Sequence, residues 1–134
     1  PERIGYVCRL LRKAVGQGAR IHVTGPQPLL DEIDLALWSV SETDFIPHGH
    51  IDDTAVIRDA SPVLLDVGTE TALHHEVLLN LHPEVPAGFE QFARVIEVVD
   101  GDAAEVRQAR ERWKHYQRRG YPIVRHDLGQ KGRA

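Results

Sequence analysis

The chain has 134 residues, 42% of them hydrophobic and 27% charged, with a formal net charge of −4. These values describe one ordinary soluble domain that can bury a core without disulfides or metals, and they argue against a protein that coats nucleic acid. Its one cysteine, Cys8, excludes a disulfide framework or a CxxC zinc knuckle, and no apolar run approaches the ~18–20 residues that span a bilayer; a reducing cytoplasm is the expected compartment.

Residues 2–16 predict an amphipathic helix, since Ile4, Val7, Leu10, Leu11 and Ala14 recur at spacings of three and four, with Gly16 and Gly18 as the stop. "RIHVTG" follows as a short strand ended by Gly25-Pro26. A second helix is expected from Pro28 to Trp38, with Leu29, Leu30, Ile33, Leu35 and Leu37 distributed around it. From Ser39 to Ser61 periodicity fades, which predicts a long loop with one short strand at Ala55–Arg58. Loops of that length usually bind something.

"PVLLDVG" (62–68), "EVLLNL" (76–81) and "RVIEVVD" (94–100) are continuous apolar runs, as in strands buried on both faces. "HPEVPAGFEQFA" reads as a turn followed by a short helix. The longest helix is expected over Ala103 to Arg119, stopped by Gly120 and Pro122, before a short strand and a tail frayed from about residue 127. Alternating strands and helices predict one α/β domain over residues 1–134. Its form is three-layer α/β/α, with a mainly parallel, doubly wound, Rossmann-like sheet.

Three candidate chemistries are weak. His48, His50, Asp52 and Asp53 supply metal-ligand atoms, but a zinc or iron site draws on several elements, and HxHxD in a polar loop has no such scaffold. "VTGPQP" is neither phosphate-binding pattern, and its prolines remove N–H donors. Cys8 lies beside an apolar helix face, and no GxSxG elbow is present. No catalytic residue, metal or cofactor is therefore expected.

The long helix says more. Residues 103–119 carry six Arg/Lys and two Glu, a local charge of +4 against −8 for the remainder. Val106, Ala109, Trp113 and Tyr116 share one stripe, and Arg107, Arg110, Lys114 and Arg118 form a basic stripe beside it. On pattern alone three readings stay open. The stripe is a solvated face, a groove in which guanidinium groups clasp an acidic peptide, or a stacking platform for single-stranded DNA on Trp113 and Tyr116.

Taken in order, "VCRLLRKAVGQGARIHV", "LALWSVSETDFIPHG", "PVLLDV", "VLLNL", "ARVIEVVD" and "RQARERWKHYQRRGY" resemble the chi subunit of bacterial DNA polymerase III holoenzyme, over about Arg3 to Tyr121. The resemblance implies a non-enzymatic bridging protein. It would pair with the psi subunit of the clamp-loader complex and bind the acidic, Phe-ending C-terminal tail of single-stranded DNA-binding protein. It further implies a psi interface at Trp38, Phe45, Pro47 and His48, and a tail-binding groove at Arg110, Trp113 and Lys114 with Arg107 alongside. Family members carry a strand ahead of the first helix. The sequence as given lacks one, so an unpaired sheet edge is expected. The "HGHIDDTAVIRDAS" region varies in the family.

Overall fold

A computed structural model describes residues 2–38, 47–50, 53–54, 61–70, 72–101, 103–121 and 123–127. Helix α1 (Glu2–Gly16) buries Val7, Cys8, Leu11 and Ala14, the stripe its periodicity predicts. It ends where Gly18 adopts φ 86°, so that Gly18 N–H reaches Val15 O at 2.9 Å and Ala19 N–H reaches Ala14 O at 3.0 Å. Only glycine adopts that left-handed turn without cost, which is why the helix stops there.

Strand β1 (Ile21–Thr24) leads into helix α2 (Gln27–Trp38), which buries Leu30, Ile33 and Leu37. Four further strands follow, β2 (His48–His50), β3 (Val63–Asp66), β4 (Val77–Asn80) and β5 (Arg94–Val99), with a 3-10 turn at Phe89–Gln91 before β5. Helix α3 (Ala103–Arg118) and strand β6 (Ile123–Asp127) complete the described chain. The six strands form one sheet, ordered β2-β3-β1-β4-β5-β6, and every pairing is parallel.

Strand alternation divides the core into two layers. Ile21, Val23, Val63, Leu65, Val77, Leu79, Ile96 and Val98 meet α1 and α2 on one face. Leu78 and Val95 meet Phe89, Phe92 and Tyr116 on the other, beneath α3. The three-layer α/β/α architecture with a parallel sheet is as the alternation predicts. The connection between β4 and β5 contains the 3-10 turn rather than an α-helix.

One element departs from the sequence reading. His48–His50, placed in a loop by its lack of periodicity, is a strand on the edge of the sheet, His48 opposite Val63 and His50 opposite Leu65. Three residues with a central glycine give no period to detect; pairing along one side of β3 holds them extended. The strand expected at 55–58 and the tail at 128–134 lie outside the described residues.

A polar row crosses the sheet where β1, β3 and β4 end. Thr24 pairs in register with Asp66 on one side and Asn80 on the other, and Asn80 with Glu97; all four are buried. Open α/β sheets commonly bind ligands outside the carboxyl ends of their strands. Here the protein's own loops meet across that place. The His82 side chain donates from Nε2 to Val67 O at 2.7 Å, and the Thr69 hydroxyl donates to Ala87 O. The crevice left beside Thr24 and Gly68 measures about 180 Å³, below the ~300–1,000 Å³ of ordinary ligand pockets.

His74 is buried, and neither ring nitrogen has a hydrogen-bond partner among the described residues. Burial, followed by the Arg20 guanidinium, lowers its pKa from 6.5 to about 4. Between those values the unfolded chain takes up a proton that the folded protein refuses, so stability is full above pH 6.5 and falls on acidification. Urea titrations from pH 7.5 to 4.5 should show wild type losing about 2–3 kcal/mol more than His74→Phe. A wild-type profile as flat as the variant's would show that His74 does not carry the loss.

Candidate interaction surfaces

Helix α3 is fixed to the sheet by a buried ion pair. Glu97 lies mid-strand on β5, and Arg112 meets it with Nε 3.0 Å and Nη2 2.9 Å from Oε1, while Nη1 donates to Pro83 O at 2.8 Å. The other carboxylate oxygen accepts from Tyr116 O–H at 2.7 Å and Asn80 Nδ2 at 2.9 Å. Burial and the Glu97 charge push the Tyr116 phenol pKa up, so it stays a donor. Counted along the sequence, Arg112 belongs to the basic surface; in the structure it is interior and neutralised. Tyr116 is likewise fully buried, so bases cannot stack on it.

Four cations of the helix face outward: Arg107, Arg110, Lys114 and Arg118. Lys114 makes one exposed contact, to Glu111 at 3.4 Å, a pair of little energetic weight. Among the described residues the other three have no carboxylate partner. Arg110, Trp113, Lys114 and Gln117 form one wall of a groove of about 600 Å³; Tyr121, Ile123 and Arg125 form the other. A second depression of about 520 Å³ continues from Arg110 and Lys114 past Arg107 to Ala104.

The helix terminus shapes that groove. Gly120, at φ 64°, lets its N–H reach Gln117 O at 2.9 Å and lets Tyr121 N–H reach Tyr116 O at 3.0 Å. Tyr121 is thereby turned back so that both tyrosines set their edges against Phe89, with centroids 4.9 and 5.1 Å from it. Within three residues the chain re-enters the sheet as β6 beside β5. Ile123 and Arg125, two apart, thus share the face beneath α3.

A second surface lies at the end of α2. Trp38 is 61% exposed, and Leu35, one turn earlier, is 69% exposed. The indole stands on His48, with ring centroids 5.3 Å apart at 62°. His48 is itself buried, and its Nε2 donates to Asp34 Oδ1 at 2.8 Å; His50 Nε2 lies 3.6 Å from Asp34 Oδ2. One carboxylate on α2 thus ties down the edge strand on which the tryptophan rests.

A sequence profile of the DNA polymerase III chi subunit, HolC, matches residues 1–124. The chain belongs to the DNA polymerase III chi subunit family. It is 33% identical over 127 residues to DNA polymerase III subunit chi of Pseudomonas aeruginosa, covering 94% of this chain and 87% of that protein. With DNA polymerase III subunit chi of Haemophilus influenzae it shares 28% over 99 residues, 73% of this chain and 67% of that one.

The residues singled out in this chi-family sequence fall into two separate places. Arg110, Trp113 and Lys114 line one groove, and Arg107 lines its extension. Trp38, Pro47 and His48 lie at the α2–β2 corner, where Pro47 is exposed and His48 supports the indole from below. Phe45 lies outside the described residues. Of the histidine-rich segment, His48 and His50 belong to an edge strand rather than to a loop. His50 N–H donates to Asp53 Oδ2 at 2.8 Å in a tight turn; Asp52 lies outside the described residues. Among the described residues no three His, Cys, Asp or Glu side chains are grouped to hold a metal, and no helix is long and apolar enough to cross a membrane.

Sequence reasoning overlooked Leu35, Tyr121, Ile123 and Arg125. The signals were faint: a helix apolar around its whole circumference, which implies that more than one side is covered, and the period-two pair Ile123/Arg125 in "YPIVRHD".

Proposed function

We propose that the protein is a non-catalytic adaptor of the replicase, a single cytoplasmic domain that joins the clamp loader to single-stranded template coated by its binding protein. In this reading the Trp38 corner docks the psi subunit, and the α3–β6 groove takes the acidic, Phe-ending tail of single-stranded DNA-binding protein. Membership of the chi family supports the replicase context. The observation that carries the groove assignment is the alignment of Arg107 and Arg110, which meet no carboxylate among the described residues, with half-buried Trp113 along one helix face. Cations there clasp carboxylates, while the indole edge buries an apolar terminus.

A fluorescent acidic peptide ending in Pro-Phe should bind at about micromolar strength and weaken steeply with salt. Arg110→Ala should lower its affinity about tenfold or more, since the lost contact is charge-assisted. Full binding by that variant at low salt would remove the groove assignment. In parallel, bare oligonucleotide should bind weakly or not at all; tight binding to it alone would favour a direct single-stranded nucleic-acid binder instead.

A further inference from the structure

Asp34 sits one turn before Trp38 on α2, at the spacing that puts two side chains on one helix face. Trp38 is the last residue of that helix, where helical order is weakest, and its indole meets the ring of His48. His48 is itself fixed twice. Its backbone lies opposite Val63 in the sheet, and its buried ring donates from Nε2 to Asp34 Oδ1 at 2.8 Å. His50, two residues on and therefore on the same strand face, brings Nε2 to 3.6 Å from Asp34 Oδ2. Both carboxylate oxygens are thus turned toward the edge strand. The contacts close a ring, because α2 carries its tryptophan to a histidine that the same helix holds one turn earlier.

We propose that Asp34 is a positioning residue for docking at this corner: acting through His48, it sets the Trp38 indole in its bound orientation before a partner arrives. The proposal rests on the reading of this corner as the psi-docking surface and adds to it the residue that prepares the anchor. A large side chain that moves freely on the surface must be ordered when a partner closes over it, and that ordering lowers affinity. An indole already seated on a fixed ring avoids the loss. The effect of Asp34 is therefore smaller than that of the indole, and it exists only while the indole is present. In this role the carboxylate gives the partner no contact of its own, since its oxygens serve His48 and His50.

Two measurements test this. The chain has two tryptophans, so in a Trp113→Phe background the fluorescence anisotropy of the free protein reads the motion of Trp38 alone. Asp34→Ala should lower that anisotropy, and Asp34→Asn, which keeps an acceptor for His48 Nε2, should retain most of it. In a His48→Phe background Asp34→Ala should change nothing further. An anisotropy that Asp34→Ala leaves intact overturns the proposal, because the indole is then held without the carboxylate. The second measurement is the affinity for the psi subunit, titrated for Asp34→Ala, Trp38→Ala and the double variant. Asp34→Ala should weaken binding about fivefold, the size expected for ordering one large side chain. In the Trp38→Ala background it should add almost nothing. Full additivity would make Asp34 a direct contact of the partner, and no loss would make it a bystander; both overturn the proposal while the docking reading stands. Failure of wild type to bind the psi subunit sinks both, and the anisotropy series, which needs no partner, separates that case from the others.

Discussion

Replacing Arg112 with methionine should destabilise the protein by about 3–5 kcal/mol, the largest loss expected of any single substitution at a polar residue here. The size follows from what is left behind. Glu97 is 3% exposed and mid-strand, so losing its cation leaves a buried carboxylate held only by the neutral donors Tyr116 and Asn80. The asymmetry is diagnostic: removing both charges as Arg112→Met with Glu97→Gln should restore most of the stability, since the pair's own attraction is largely offset by desolvation. Urea unfolding of the three variants measures this directly. A loss under about 1 kcal/mol for the single variant would mean that water reaches Glu97 and the pair does not anchor α3.

The second large effect is at the other surface. Trp38→Ala should weaken psi-subunit binding by about 2–4 kcal/mol, enough to abolish co-purification, while the urea midpoint barely moves. Its indole is 61% exposed, so most of its area is left for a partner to bury. An aromatic of that area, seated on a fixed histidine, is the kind of group that dominates an interface. Leu35→Ala should add a smaller loss at the adjoining position. Retained co-purification in Trp38→Ala would place that interface elsewhere. A large shift in the midpoint would instead make the tryptophan a structural residue of the α2–β2 corner.

Much of the fold could be read from residue patterns, for identifiable reasons. β3, β4 and β5 are largely covered on both faces, so their apolar runs stand out. Helices α1 and α3 declare themselves through one-sided burial and glycine stops. What stayed hidden depends on contacts distant in sequence. Arg112 looked like surface because arginines surround it, yet it shares the spacing of Ala109 and Tyr116 on the buried face. Glu97, a lone carboxylate inside "RVIEVV", was the sign that a cation had to come to it. β2 escaped because its order comes from β3 and Asp34 rather than from its own residues. The groove was legible as a helical stripe but lacked its second wall, since nothing local says that β6 returns alongside β5.

The short cap that ties α3 to β6 also bears on timing. Both walls of the groove descend from one glycine turn, and the helix behind them is locked to the sheet through Arg112. The site therefore exists before its ligand arrives, and association need not wait for any rearrangement. If the proposed acidic tail is drawn in by these exposed cations at about 10⁷ M⁻¹s⁻¹, a micromolar complex would last about a tenth of a second. Contacts of that lifetime release and re-form readily, as the proposed adaptor role would require of a tether on a moving template.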